Sequence, residues 1–224
     1  MPKRDPLVVT LLALTGVTGL VDAVSFLGLG HVFTANMTGN VVLLGFAVAG
    51  APGLSIARSS TSLVAFLVGA ALGGRLGVAM ATASRRRWLF TVAASEAALL
   101  IAAALVSIGF DIGAATPPSR LYAVIVLTAV AMGLRNATVR RLAVPDLTTT
   151  VLTLTLTGVA ADSSLAGGDN PRAGRRLASV ALMFAGAALG TVLLRLGLAL
   201  PLVVSGACVL AATAYAALST GEEP

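Results

Sequence analysis

Six apolar segments dominate this chain, most of them about 20 residues long, the length that an α-helix needs to cross a bilayer. The sequence is 57% hydrophobic and 11% charged, whereas about a quarter of the residues in a soluble domain are charged. These features predict a single all-α integral membrane domain over residues 1–224. Its six transmembrane helices are expected near 7–29, 60–83, 88–110, 120–134, 177–196 and 198–218.

Rare residue types limit the chemistry of the chain. Cys208 is the one cysteine and His31 the one histidine, which argues against a disulfide and against a metal site. The net charge of +6 comes from basic residues that flank apolar segments, the pattern that orients membrane proteins. We therefore expect the lipid bilayer as a partner, no nucleic acid, no cofactor and no metal. The sequence contains no nucleophile or phosphate-loop motif, so we expect no enzyme activity.

The first predicted helix contains an acid and is followed by a polar break. Asp22 lies deep in the apolar segment, where charges are costly and usually functional or paired. The short segment 38–50 follows the break, and its start leaves backbone N–H groups free for an anion or a carbonyl oxygen. Two interpretations stay open: helix capping, or a site for substrate or ions. The residues concerned are Asn36, Thr38, Gly39 and Asn40.

A second short segment, 147–161, is rich in threonine. Thr148, Thr149 and Thr150 stand at its expected start, and Thr149 continues into a stripe with Thr153 and Thr157. Such hydroxyls either line a wet pathway or bond the carbonyl four residues earlier or a neighbouring helix. The sequence does not choose between these readings.

An internal repeat relates the two halves, about 7–110 and 120–218, through three matches in the same order. The offsets are 114, 110 and 117 for Gly19–Ala23 with Gly133–Ala137, Thr38–Val41 with Thr148–Val151, and Gly69–Gly73 with Gly186–Gly190. The glycine pairs Gly69/Gly73 and Gly186/Gly190 permit close helix contact. We expect both copies to pack near the axis that relates the halves.

The distribution of arginine and lysine predicts the topology. If the segments 38–50 and 147–161 cross fully, the run Arg85–Arg87 falls outside, against the positive-inside rule. If both re-enter on the same side, most basic loop residues and both termini fall on the cytoplasmic side. The odd number of crossings then inverts the second repeat relative to the first, an architecture of transporters.

Asp22 has two candidate roles, which are not exclusive. It is either a coupling or substrate-contacting residue, or one half of an ion pair with Arg75 on the second span. The repeat places Asn136 opposite Asp22, and either Val192 or, with a gap, Arg195 opposite Arg75. The sequence also places Arg135 in a basic stretch that follows the fourth span, and Glu96 near polar groups close to the inner surface.

Three segments of this chain resemble the YoaK-like family of bacterial membrane proteins. They are Val21–Ala23, the run Phe33–Asn40 with its Asn-Met-Thr-Gly-Asn motif, and Gly133–Ala137. The resemblance covers nearly the whole chain and implies about six spans in the bacterial cytoplasmic (inner) membrane. The family has no established function, so it implies no substrate and no site residues. Thr148–Thr150 depart from Thr38–Asn40, so the second mouth is expected to differ chemically.

The sequence thus favours a secondary transporter or channel for a small polar or ionic solute. The pathway would use Asp22, the first break, Asn136 and the threonines of the second break. The alternative is a structural or partner-binding membrane protein without transport activity. A homo-oligomer is compatible with either hypothesis.

Overall fold

The computed structural model of the protein describes residues 5–147, 149–150 and 152–219 and is helical. Within these residues, six helices are long and apolar enough to cross a membrane, so the chain is an integral membrane protein. Two shorter helices, α2 and α6, follow the first and the fourth of the long ones. The α-helices in the described part of the chain are α1 Pro6–Gly28, α2 Met37–Val48, α3 Ile56–Ala79, α4 Arg85–Val106, α5 Pro118–Leu142, α6 Thr153–Ala161, α7 Ala173–Leu193 and α8 Ala199–Ser219.

Polar side chains immediately before four helices fix where those helices begin. Asp5 accepts a hydrogen bond from the backbone N–H of Leu7 at 2.9 Å, and Asn36 accepts from that of Gly39 at 3.2 Å. The side chains of Ser55 and Ser84 do the same for α3 and α4. Each bond satisfies one backbone donor that has no partner within the helix.

The fourth span is longer than predicted. The apolar run ends at residue 134, which predicts that Arg135 lies in a basic loop, whereas α5 continues to Leu142. Arg135 and Asn136 are therefore helical residues inside the protein. The prediction was wrong because a charged residue ends an apolar run in the sequence without ending a helix, provided that a partner neutralises it.

The contacts between the helices show the same pattern when the helices of the two halves are exchanged. Helix α3 packs on α5 as α7 packs on α1, and α1 packs on α8 as α4 packs on α5, while α4 and α8 pack on each other. Exchanging α1 with α5, α3 with α7 and α4 with α8 converts the first four contacts into one another in pairs and leaves the α4–α8 contact unchanged. The first helix of each half is also the most buried: α1 and α5 form the centre of the molecule.

The paired glycines lie in equivalent helix contacts. A methyl group at Gly73 would lie 2.9 Å from the Leu134 carbonyl oxygen, and one at Gly190 would lie 2.9 Å from that of Leu20. Gly69 and Gly186 meet the backbones of α5 and α1 in the same way. The expectation that the two copies pack together near an axis needs correction. Each copy packs against the central helix of the other half, because only there does backbone lie close enough to require glycine.

Candidate functional site

A cavity of about 910 Å³ opens at one end of the molecule, between α1, α4, α5 and α8. This end is called the basic end because Arg85, Arg86 and Arg87 begin α4 there. The rim includes Asp5, Arg85, Arg86 and Ser219, and the walls carry Thr10, Thr138 and Thr213. The cavity thus joins the end of the helices to their polar interior.

Glu96 of α4 and Arg135 of α5 form the polar base of this cavity. They make a direct ion pair, and their side chains are only 2% and 1% exposed. Glu96 lies about 15 Å deeper along its helix than Arg86, at 1.5 Å per residue. A buried pair at that depth requires good geometry, because desolvating each charge costs several kcal/mol. Removing one partner would lower the free energy of unfolding by about 3–5 kcal/mol, since the other charge would stay buried alone.

The guanidinium of Arg135 is fixed from a third helix. Its Nη1 donates to the carbonyl oxygen of Leu14 at 3.0 Å and to the hydroxyl of Thr18 at 3.0 Å, both on α1. Its Nη2 donates to Glu96. Its Nε is buried and has no hydrogen-bond partner among the residues that the structure describes. Arg135 therefore links α1, α4 and α5 at one level and keeps one donor free.

Asp22 lies one helical turn beyond Thr18, further from the basic end. Its carboxylate accepts a hydrogen bond from the backbone N–H of Ala35 and is within electrostatic reach of Arg135. Its Oδ1 is shielded from solvent and has no hydrogen-bond partner within the described chain. Arg75 is exposed on α3, and the described ion pairs do not include Asp22 with Arg75. The predicted pair of Asp22 with Arg75 was therefore wrong. The cation near Asp22 is Arg135, because α5 continues beyond residue 134 and carries Arg135 into the interior.

The first break is held by neutral hydrogen bonds. Asn40 accepts from the backbone N–H of Phe33 at 2.9 Å and donates to its carbonyl oxygen and to Ser62 at 3.1 Å. Asn36 caps α2, Gly39 leaves room for the ring of Phe33, and Thr38 is exposed. The structure gives Asn36 and Asn40 structural contacts and does not bring Thr38 to the cavity lining.

The second break is organised differently. Helix α6 begins at Thr153, so Thr149 and Thr150 precede it and do not correspond to the start of α2; Thr148 lies outside the described residues. Thr150 donates to Asn136 at 2.7 Å, and Thr149 is buried. The prediction that these threonines start the second short helix was wrong, because the second break extends to residue 152 before α6 begins.

The predicted stripe of Thr149, Thr153 and Thr157 does not lie on one helix. Thr149 lies outside α6, whereas Thr153 and Thr157 lie on an exposed part of it. The hydroxyl of Thr157 donates to the carbonyl oxygen of Thr153 at 2.9 Å, the backbone contact that threonine commonly makes in helices. The described contacts therefore do not join the three into one line.

A cluster of charges links the second break to the start of α7. Asp146 pairs with Arg172 at 2.7 Å, with Arg176 at 3.2 Å and with Arg175 at 3.6 Å. Arg176 also binds Asp162, which follows α6, at 2.7 Å. Burial raises the pKa of Asp146, but the hydrogen bond from Arg176 and the three arginine charges outweigh it and hold that pKa below its usual range.

The opposite end of the four helices is filled by apolar side chains. Leu100, Leu121, Leu198 and Leu202 are all at most 3% exposed and belong to one hydrophobic cluster with Leu29. A methyl group at Gly28 would lie 2.6 Å from Leu198, so the chain is tightly packed where α1 ends. The polar interior is therefore reached by the cavity from the basic end and covered by leucines at the other.

Glu96 and Arg135 are the site residues that the sequence reading missed. Both were visible as charges in or beside apolar segments. The missing signal was their pairing, since a glutamate and an arginine 39 residues apart are joined only by the packing of α4 on α5. Because charged residues inside a membrane almost always pair with an opposite charge, a search for a partner of Glu96 could have suggested Arg135.

Comparison with known proteins supports the resemblance seen in the sequence. A family model described as a protein of unknown function, DUF1275, matches residues 10–215. The UPF0700 transmembrane protein YoaK of Bacillus subtilis (strain 168) is 35% identical over 159 residues, which are 69% of this chain and 67% of the relative. The YoaK-like resemblance is thus confirmed. No solved structure matches the chain.

Proposed function

The chain belongs to the DUF1275 family of proteins of unknown function, and we propose that it is a secondary transporter for a small polar or ionic solute. The observation that carries this proposal is the cavity of about 910 Å³, which reaches the Glu96–Arg135 pair from one end. A permanently open channel would need a second opening, whereas leucines fill the other end of the same helices. The arrangement suits a carrier with one side open.

We propose further that the two halves form inverted repeats with re-entrant segments. Two features support this topology. The main contact of each long helix in one half has a counterpart in the other half. In the second half, Arg176 binds both Asp146, before α6, and Asp162, after it, so the chain returns close to where it left. In the first half, Arg58 of α3 donates to the carbonyl oxygen of Gly30, just after α1.

Inverted repeats supply a mechanism for alternating access. If each half can adopt the packing of the other, the open end closes and the closed end opens around a central site. The central site here would contain Arg135 and Glu96, with Asp22 one turn beyond. Solute bound at the base of the cavity would then be released on the opposite side of the membrane, which we propose to be the bacterial inner membrane.

Single-cysteine labelling tests access to the site, in a Cys208→Ser background with a membrane-impermeant maleimide. We expect Thr138→Cys, in the cavity wall, to label from the cytoplasmic side, and Leu202→Cys, in the closed end, to remain unlabelled. Pro52→Cys and Leu165→Cys, in exposed loops after α2 and α6, test the topology. Labelling of both from the same side would overturn the inverted repeat.

A second candidate is a structural or partner-binding role. It is favoured by the first break, where Asn40, Ser62 and Phe33 satisfy each other without a ligand. Uptake of radiolabelled solutes into reconstituted vesicles, with panels of small organic anions and cations and protein-free vesicles as the control, separates the two. Uptake above the control supports transport, and its absence from every panel in an accessible, folded protein supports the structural role.

A further inference from the structure

The base of the cavity joins a permanent positive charge to a negative charge that can be removed. Arginine stays protonated in proteins, whereas a glutamate can accept a proton. When Glu96 is protonated, Arg135 becomes an uncompensated cation at about 1% exposure. The uncompensated positive charge of Arg135 then attracts another anion to this position and repels a cation.

The hydrogen bonds of Arg135 show where such an anion would bind. Nη1 is committed to α1 through Leu14 and Thr18. Nη2 is committed to Glu96, and Nε has no acceptor among the described residues. Nε and Nη2 form one edge of the planar guanidinium, and a carboxylate can accept from both donors of that edge at once. One of the two donors is free, and protonation of Glu96 releases the other.

The cavity walls indicate the rest of the ligand. Between the rim and the ion pair they are mainly apolar, through Leu7, Leu11, Leu14, Leu89, Val92, Ala93, Val139, Leu142 and Val209. Such a surface binds a hydrophobic body, with the polar base fixing its orientation. Arg85 and Arg86 at the rim add positive charge that attracts anions.

We propose that the solute is a small organic anion with an apolar body, a monocarboxylate in the simplest case, that binds Arg135 together with one proton on Glu96. The anion replaces the glutamate carboxylate on the Nε–Nη2 edge, and the proton comes from water in the cavity. Transport of this solute rests on the proposed function, whereas the binding site stands by itself.

Among the described residues, few other charged groups surround the pair. From α1 they are Asp22, one turn beyond Thr18, and Asp5 at the rim; from α4 they are Arg85 and Arg86 at the rim. Helix α8 contributes Val209 and Thr213 to the same cavity, neither of which titrates in the accessible pH range. Glu96 is therefore the acid in direct contact with Arg135, and the proton is assigned to it.

Isothermal titration calorimetry on the purified full chain tests the proposal, with hexanoate as the probe and hexylamine as its cationic match. We expect hexanoate to bind with uptake of about one proton, read from the dependence of the heat on the buffer, and hexylamine not to bind. Affinity should fall as pH rises, by at most about tenfold per pH unit for coupling to one proton. Equal binding of both probes overturns the proposal.

Three variants test which residues bind hexanoate and which residue takes up the proton. Glu96→Gln should keep hexanoate binding and lose both proton uptake and pH dependence. The double variant Glu96→Gln with Arg135→Gln keeps a neutral pair for folding and should bind roughly ten- to a hundredfold more weakly, the loss of one or two charge-assisted hydrogen bonds. Arg75→Gln, on the exposed face of α3, should behave as the unmodified protein. Undiminished binding in the double variant overturns the proposal.

The outcomes also separate this inference from the proposed function. If hexanoate binds through Arg135 but vesicles take up no anion above the protein-free control, the anion site stands and transport fails. If the vesicles take up another class of solute while hexanoate does not bind, transport stands and the anion site fails.

Discussion

The two ends of the core formed by α1, α4, α5 and α8 belong to helices that the proposed repeat relates in pairs, yet one end holds a cavity and the other is filled. At the offset of 114, Arg135 and Thr138 of the open end correspond to Val21 and Val24. Both valines are 0% exposed. A charged and a hydroxyl side chain keep one end polar, whereas the corresponding valines pack against leucines. Two experiments test this difference, and two more compare the halves at their glycine contacts and at their breaks; they follow from the largest expected effect to the smallest.

The first experiment breaks the ion pair of the open end. Glu96→Leu leaves the charge of Arg135 buried without a partner and should lower the free energy of unfolding by about 3–5 kcal/mol. Adding Arg135→Met in the same chain should recover most of the loss, because an apolar pair avoids desolvating a charge. Unfolding by SDS in mixed micelles measures both. A double variant as unstable as Glu96→Leu would contradict the pairing.

The second experiment compares a leucine at each end. Leu202→Ala at the closed end should cost about 2–5 kcal/mol, because it leaves an empty space surrounded by packed side chains. Leu14→Ala should cost less, because Leu14 lines the open cavity and its truncation only widens that space. The same unfolding assay compares them. Equal costs would mean that the two ends are packed alike.

The third experiment tests whether the halves are equivalent where both are tightly packed. Gly69→Ala and Gly186→Ala each place a methyl group against the backbone of the facing helix. We expect similar losses of about 1–3 kcal/mol from overpacking. Gly74→Ala is the matched control, since nothing lies within 4 Å of a methyl group there. A loss in only one half would show that the two contacts are not equivalent.

The fourth experiment compares the two breaks. Because the pKa of Asp146 is lowered in the folded protein, its contribution is complete above about pH 4, the ordinary aspartate value, and is lost as pH falls through the folded value. Hydrogen exchange should therefore rise at acidic pH in residues 143–147, while the neutrally bonded first break, 29–36, changes little.

Asp146→Asn provides the control for that comparison. It should raise exchange in residues 143–147 at neutral pH and remove most of the acid dependence, with a loss of stability of about 1 kcal/mol, typical of partly exposed ion pairs. Unchanged exchange in the variant at neutral pH would mean that the arginine cluster does not hold the second break.

Sequence reasoning worked where the cause was local. The long apolar segments predicted six spanning helices, and the glycine pairs marked positions that now lie against backbone. It failed where the outcome depended on distant contacts. Asp22 and Arg75 seemed natural partners by depth, but Arg75 faces outward on α3. The threonine triplet seemed to start a helix, but α6 begins at Thr153.

The sequence by itself determined that the chain is an integral membrane protein, because burying charge and backbone in lipid is so costly that apolar length and composition alone decide it. Tertiary structure decided which charges meet. Only the packing of α4 and α1 on α5 joins Glu96, Arg135 and Thr18. An ion pair depends on distances of a few ångströms between side chains, and those distances are set by helix packing rather than by spacing along the chain.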